Sequence, residues 1–291
     1  MLQVDLRWSR GVSRRALLVV AASLALCLAG TARAADQADR STLEGYASWA
    51  HGALEALPRG VQLLEPLAQR LTELTSEQRR EAGLGPLEAD PELLPAARAH
   101  ALDMLEQGYN DHVTPEGLEP GDRVALLHRR LVGSVGENLA EHEGLSAEQL
   151  EGQIGPLAAK ITDGWMQSPG HRENILDPDY THQAIAAAAK GENLVVVQLF
   201  AARRALLAEP LPLRVGQGEK LPLTFEQGPG LDVPAQYAYA RPGQPAQDLI
   251  TLDLSIAEVS VEPGTYLLKF LFSSGQAGRF AVTGGPAILV R

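Results

Sequence analysis

The sequence predicts an α/β protein, in which a layered domain of helices and strands is followed by a small C-terminal β-sandwich domain. The first observation is that segments with a 3.6-residue apolar period flank a few strand-like runs before residue 205, as in layered α/β domains. The second is that short alternating runs separated by Gly and Pro follow Pro210, a pattern typical of a β-sandwich. About eight strands are predicted there, at residues 211–215, 220–225, 236–240, 249–254, 258–261, 265–272, 279–282 and 288–290.

Residues 1–34 have the order of a signal peptide. Arginines between Arg7 and Arg15 precede the apolar run 16–30, and small residues at Ala32 and Ala34 predict cleavage after Ala34. The apolar run is shorter than the roughly 20 residues of a membrane helix. We therefore expect an exported protein of the periplasm, cell envelope or extracellular space, with no transmembrane segment in the mature chain.

The export route stays open between two interpretations. Ser13, Arg14 and Arg15 before an apolar run are typical of a twin-arginine signal, and they also suit an ordinary basic leader. Cys27 is the only cysteine, and Leu26 before it argues against lipidation. Cleavage would leave a chain without disulfides or a cysteine nucleophile, so core burial must stabilise the fold.

Charge narrows the classes of partner. The formal net charge is −11, and removal of five arginines and Asp5 with the leader makes it about −15. This acidic balance excludes nucleic acid and anionic lipid headgroups as expected partners. An apolar lipid held in a groove is not excluded, because its burial depends on local shape and apolar area.

Three helices are expected in the first half of the chain. Ser41 and Glu44 predict a capping box and a helix to about Leu57, which gives an N-terminal helical extension over residues 35–60. A second helix is expected over residues 61–82. A third should start at a cap on Asp90 and end at Gly108, with His100 beside its apolar face as a structural hydrogen bonder.

The remaining segments complete the organisation. Residues 110–143 are rich in Gly, Pro and charge and are predicted to form long loops with short helical pieces, which tend to carry function. A helix over 156–167 and an apolar strand over 194–201 follow. A short stiff linker near residues 203–212 separates the predicted domains, at residues 61–204 and 209–291.

Four blocks of residues, in order over about 95 positions, resemble the CAP superfamily, which includes cysteine-rich secretory proteins, antigen 5 and plant pathogenesis-related proteins. The blocks are residues 82–104, which include Asp90-Pro91-Glu92-Leu93 and Ala97-Arg98-Ala99-His100, then Asp111-His112-Val113-Thr114-Pro115-Glu116-Gly117, then Gly136-Glu137-Asn138-Leu139-Ala140, and then Gly164-Trp165-Met166-Gln167-Ser168-Pro169-Gly170-His171-Arg172-Glu173-Asn174. They are most similar to the bacterial, SCP-like extracellular type. The resemblance implies an α-β-α sandwich over residues 61–204.

The resemblance also implies a cleft lined by His112, Glu137 and His171, with Ser168 and Asn138 in the same blocks. Ser168 and Pro169 are suited to start a helix, which would place His171 in a first turn where the helix dipole favours a neutral imidazole. Two imidazoles and a carboxylate are a competent ligand set for zinc or a similar divalent cation, although no cofactor is certain. The separations of the three residues match no local metal motif. Many eukaryotic members have a second glutamate where Ser168 stands, which puts a two-acid, two-histidine chemistry in doubt.

Three functions compete at this stage. The first is a non-enzymatic binding module for a small lipid, a peptide, a wall fragment or a protein partner. The second is a metal-dependent or histidine-assisted hydrolase, against which no nucleophile elbow and no HExxH helix occur, so that no catalytic residue is assigned. The third is a structural envelope protein that contacts other proteins, an interpretation that rests on fold analogy.

Overall fold

The structure, a computed structural model, describes residues 39–245, 248–274 and 279–291. The predicted signal peptide lies outside these ranges. Residues 40–291 form one compact unit. Within the ranges described, no helix has both the length and the apolar character needed to cross a membrane.

Seven helices and ten strands are described. The helices are α1 (Leu43–Glu55), α2 (Glu65–Glu81), α3 (Leu94–Gln107), α4 (Pro120–Leu127), α5 (Ala147–Glu151), α6 (Ile154–Gln167) and α7 (Pro169–Leu176). The strands are β1 (Val61–Leu63), β2 (Glu88–Ala89), β3 (Leu131–Glu143), β4 (His182–Lys190), β5 (Asn193–Leu206), β6 (Arg214–Val215), β7 (Gln236–Ala240), β8 (Thr251–Asp253), β9 (Gly264–Ser273) and β10 (Phe280–Val290).

The centre of the first part is an antiparallel sheet covered by helices on both faces. The strand order there is β1-β4-β5-β3, and almost every residue of β4 and of the first half of β5 is buried, as expected when both faces are covered. One face carries Ile185, Val196 and Phe200 into a hydrophobic core with Trp165 and residues of α2. Helix α3 packs against β4 and β5. The α-β-α layering that the resemblance implied is confirmed.

The helix starts differ from the sequence predictions because local caps compete. Thr42, not Ser41, caps α1, and its side-chain oxygen accepts a hydrogen bond from the Gly45 backbone N–H. Residues 61–63 form the short strand β1 rather than the start of a helix, because they pair with the end of β4. Asp90 accepts backbone N–H groups as expected, but α3 begins only at Leu94; Gly108 ends it with a φ of 71°.

The largest error of sequence reasoning concerns residues 110–143, which were predicted to be loops. Residues 131–143 form β3, which pairs with β5 along its length. Gly133 and Gly136, which suggested a loop, stand where neighbouring chains approach closely: a Cβ atom at Gly133 would collide with the Ala202 carbonyl oxygen, and one at Gly136 with the Tyr180 hydroxyl. Strand β4 was also missed, because its alanine-rich sequence has no strand period.

The C-terminal part is rich in strands, as predicted, but its strands are fewer and lie in one sheet. Strands β10, β9, β7 and β8 continue the order beyond β3, and β6 pairs with β10. The predicted strands 279–282 and 288–290 are one strand with an irregularity between Gly284 and Ala287. Residues 220–225 and 258–261 lack regular ladders; Leu221, Leu223 and Val259 instead pack in a second hydrophobic core with one face of this sheet. Irregular chain therefore forms the layer that a second sheet would supply in a β-sandwich.

The two parts are joined by backbone and arginine contacts. Gly133 of β3 pairs with Gly284 of β10. The Arg129 guanidinium donates hydrogen bonds to the carbonyl oxygens of Leu211 at 2.9 Å and Ala287 at 2.6 Å, and burial lowers its pKa to about 10. The division into independently folding domains remains a prediction.

Candidate functional site

Glu137 is the centre of a buried hydrogen-bonded cluster. Its side chain is 1% exposed, because it lies on β3 beneath α3 and α4. Oε1 lies 2.9 Å from His112 Nδ1, while Oε2 lies 2.8 Å from His100 Nδ1 and 2.9 Å from Arg123 Nη2. Both carboxylate oxygens are therefore occupied by protein groups.

Arg123 of α4 joins this carboxylate to the loop that carries His112. Its Nη1 donates hydrogen bonds of 2.8 Å to the backbone carbonyl oxygens of His112 and Leu118, and its side chain is 1% exposed. A buried guanidinium needs a paired charge and satisfied donors. Glu137 supplies the charge, and the two carbonyls fix the loop 112–118 over it.

The ionisation of the cluster follows from burial and pairing. Burial favours a higher pKa for Glu137, but the hydrogen bonds from His100 and His112 and the charge of Arg123 outweigh it and lower the pKa to about 2. Burial and the neighbouring Arg123 lower the pKa of His100, against the opposing effect of Glu137. The hydrogen bond to Glu137 raises the pKa of His112, whose side chain is 46% exposed.

The hydrogen-bond partner of His112 determines the tautomer of its neutral ring. His112 Nδ1 faces Glu137 Oε1, so in the neutral ring of His112 Nδ1 carries the proton and donates it. For His112 this leaves Nε2 with a free lone pair. His100 Nδ1 lies 2.8 Å from the acceptor Glu137 Oε2 and 3.1 Å from the donor Arg123 Nη2, so its contacts suit either tautomer. For His100 the corresponding Nε2 atom is buried and lacks a hydrogen-bond partner within the described part of the chain.

His171 lies in the first turn of α7, as predicted. Pro169 occupies the first turn and Ser168 the N-cap position, although the Ser168 side chain makes no capping hydrogen bond. Burial, followed by the charge of His112, lowers the pKa of His171, which favours a neutral ring. The effect of His112 indicates that the two imidazoles share one electrostatic environment.

Asn138 is fully buried, so it does not line a cleft; it binds the backbone of His171 instead. Its Nδ2 donates to the His171 backbone carbonyl at 3.1 Å, and its Oδ1 accepts from Asn174 Nδ2 at 2.9 Å. Asn174 in turn donates to the backbone carbonyl of Glu137 at 3.2 Å. The first turns of α7 are thus fixed to β3 beside Glu137.

Sequence reasoning placed His112 beside Glu137 but missed His100 and Arg123. His100 was assigned a structural hydrogen bond, and the structure supplies the partner that makes this bond part of the site. One available signal was the setting of His100 among small apolar residues, which indicates burial, and a buried histidine needs a polar partner. For Arg123, the apolar run after it in residues 124–127 gave a similar signal.

The predicted metal site does not fit the arrangement. Across residues 39–245, 248–274 and 279–291, no group of three or more His, Cys, Asp or Glu side chains is placed to hold a metal ion. Both oxygens of Glu137 and Nδ1 of His112 are used in hydrogen bonds to one another or to neighbours. The carboxylate is therefore an anchor for His112 rather than a free ligand.

A family model matches part of the chain. Residues 72–200 match the family model described as "CAP: Cysteine-rich secretory protein family". This range contains α3, the complete Glu137 cluster, α7 and most of the central sheet. The strand-rich C-terminal part lies outside it.

Similar proteins match over the same part of the chain. The uncharacterized protein YkwD of Bacillus subtilis is 33% identical over 42% of this chain and 43% of its own length. The uncharacterized membrane protein YlbC of the same organism is 31% identical over 42% of this chain and 32% of its own length. The chain thus spans less than half the length of these curated relatives. Among solved structures, an outer surface protein from Borrelia burgdorferi is 21% identical, covers 48% of this chain and 94% of its own, and has a TM-score of 0.40.

Proposed function

Because residues 72–200 of this chain form a CAP domain, we propose that the protein is a non-enzymatic binding module, whose ligand contacts His112 and His171. One observation carries the proposal: the buried carboxylate of Glu137 is fully used in holding His112, His100 and Arg123. A site built in this way fixes the direction of an imidazole and keeps no free carboxylate for chemistry.

The ionisation of Glu137 argues against this carboxyl group as a general acid or base. A general base works best when its pKa lies near the working pH, and the pKa of this carboxyl group is about 2. It is ionised and weakly basic at neutral pH, and as an acid it would already have lost its proton. A histidine-assisted hydrolase would use the same carboxylate-anchored His112 ring as its general base through Nε2, and this alternative has no assigned nucleophile or metal.

The two imidazoles define what the ligand must offer. His112 is half-exposed, and its neutral ring keeps the Nε2 lone pair free; the lowered pKa of His171 favours a neutral ring there. Neutral imidazole nitrogens accept hydrogen bonds from O–H and N–H groups. A peptide, a wall fragment or a partner loop supplies such donors along its length, and a lipid supplies them at a hydroxyl head.

We further propose that the protein is exported. The support is the order of segments in residues 1–34: a basic segment, then an apolar run, then an Ala-x-Ala sequence. N-terminal sequencing of the mature protein should begin near Ala35. Recovery of the chain with Met1 retained in the cytoplasm would contradict export.

Native mass spectrometry of the protein purified from its own cells tests the binding role. The wild type should retain a small-molecule or peptide mass, and the double variant His112→Ala with His171→Ala should lose it. Arg172→Met is a matched control, because Arg172 is exposed on α7 one residue from His171. A wild type without any retained mass, or a mass kept by the double variant, would overturn the proposal. A stoichiometric metal in its place would favour the hydrolase.

A further inference from the structure

A second cleft lies away from the Glu137 cluster, where the CAP domain meets the strand-rich C-terminal part. One wall is the segment 116–122, with residues 41–43 at the start of α1, and the other is the turn 241–244 with Thr265 and Lys269 of β9. Its volume is about 690 Å³, within the range of about 300–1,000 Å³ that is usual for ligand sites. Two smaller cavities, of 160 and 250 Å³, also open on Lys269. None of the three is lined by His112, Glu137 or His171.

The two walls of this cleft carry opposite charges that do not pair with one another. Glu116, Glu119 and Asp122 line the first wall, while Arg241 and Lys269 line the second. Within the described part of the chain, none of these five groups has an oppositely charged atom within 4.0 Å, whereas twelve arginine–carboxylate ion pairs form there. The charges therefore face the cleft without a partner across it.

Local contacts orient these groups and leave their charges available. The Arg241 guanidinium lies 5.6 Å from the Tyr266 ring centroid, with Nη2 at 3.5 Å from the Tyr266 hydroxyl. Glu119 and Asp122 form a capping box at the start of α4: Asp122 Oδ2 accepts the Glu119 backbone N–H at 3.1 Å, and the Glu119 side chain accepts the Asp122 backbone N–H, so each carboxylate uses a single backbone donor there. The Oε2 atom of Glu116, a residue that lines the cleft, is buried and has no hydrogen-bond donor among the residues described.

We propose that this cleft binds a zwitterionic, peptide-like ligand, with its ammonium group at Glu116, Glu119 and Asp122 and its carboxylate at Lys269 and Arg241. A simple anion would meet three carboxylates on the opposite wall, and a simple cation would meet two positive side chains. A ligand with both charges, separated by a short chain, is attracted at both ends, and charge complementarity of this kind gives specificity. The site is independent of the proposed cleft at His112 and His171.

Calorimetric titration of the full chain with trialanine tests this proposal. Trialanine with free termini should bind, and acetylation of its amino group or amidation of its carboxyl group should each raise Kd at least about tenfold, since each removes one charged contact. Lys269→Met and Glu119→Gln should raise Kd to a similar extent. Lys190→Met, at the far end of β4 and outside the lining, should leave Kd unchanged.

Two outcomes would overturn the proposal. One is the absence of trialanine binding up to about 10 mM, a concentration that would reveal even a very weak site. The other is binding that Lys269→Met or blocked termini leave unaltered. Thermal unfolding of each variant serves as the control for folding, and each midpoint should lie close to that of the wild type. His112→Ala should bind trialanine like the wild type, so failure here and failure of the proposed function are separate results.

Discussion

At the scale of single residues, the arrangement around Glu137 explains how a charged group is tolerated in the interior. An isolated buried carboxylate is strongly unfavourable, and a buried arginine is equally so. Here Arg123 Nη2 lies 2.9 Å from Glu137 Oε2, and Arg123 Nη1 donates hydrogen bonds to two backbone carbonyl oxygens. Removal of one partner should therefore cost far more than the loss of a surface ion pair.

Replacement of Arg123 tests this account of the buried pair. Arg123→Met should lower the free energy of unfolding by about 3–5 kcal/mol, because Glu137 would keep its burial and lose its charged partner. Urea unfolding measures the change. Arg172→Met is the same substitution at an exposed position, and its free energy of unfolding should stay within about 0.5 kcal/mol of the wild-type value. Equal effects of the two substitutions would show that Arg123 is no more important to stability than a surface arginine.

The depressed pKa of Glu137 predicts a specific acid sensitivity. A carboxyl group whose pKa falls from 4.5 to about 2 on folding stabilises the protein above pH 4.5, and this contribution is lost as the pH falls toward 2. Its full size is about 3 kcal/mol. Between pH 4.5 and about pH 3, the free energy of unfolding of the wild type should fall more steeply than that of Glu137→Gln. Parallel curves would contradict the ionised, hydrogen-bonded carboxylate.

At the scale of elements, β3 shows why close packing hid a strand from sequence reasoning. Gly133 and Gly136 lower strand propensity, yet each stands where another chain leaves no room for a Cβ atom. The alternation of β3 is also broken by polar residues that the site needs, such as Glu137 and Asn138. The helices were easier to predict, because their periodicity and the stop at Gly108 are local signals.

The tight contact at Gly136 can be tested by compensation. Gly136→Ala should destabilise the protein by about 1–3 kcal/mol, because the new methyl group meets the Tyr180 hydroxyl. Tyr180→Phe removes that hydroxyl and should recover part of the loss in the double variant. A double-mutant cycle of unfolding free energies measures the coupling. Strict additivity would mean that the methyl group is accommodated elsewhere.

At the scale of the whole molecule, the site residues could be named from the sequence more readily than their arrangement. His112, Glu137 and His171 were found because each belongs to a block that resembles the CAP family. His112, His100 and Arg123 occupy both carboxylate oxygens of Glu137, and the last two were not predicted as site residues. This arrangement depends on the packing of α3 and α4 over β3. The spacing of residues along the chain does not contain this information, and the expected three-ligand metal site does not match the arrangement for that reason.

The proposed division into two domains can be tested with separate chains. Residues 36–208 and 209–291 should each unfold cooperatively, because each has its own hydrophobic core. The second chain should be the less stable, since Val132, Ala205 and Leu207 of its core lie in the first. Circular dichroism during thermal unfolding measures both. A C-terminal chain that folds only when joined to the first would make it an extension of the first part of the chain.

The central claim is that Glu137 anchors His100 and His112 and leaves Nε2 of His112 free for a ligand. Long-range ¹H–¹⁵N NMR of the imidazoles tests it most directly, because the nitrogen shifts distinguish the tautomers. At about pH 9, where the ring is neutral, His112 should carry the proton on Nδ1. The Glu137→Gln variant lacks the carboxylate that favours this tautomer, so the His112 ring should show a mixture of the Nδ1-protonated and Nε2-protonated tautomers. A His112 ring with its proton on Nε2 in the wild type would contradict the account.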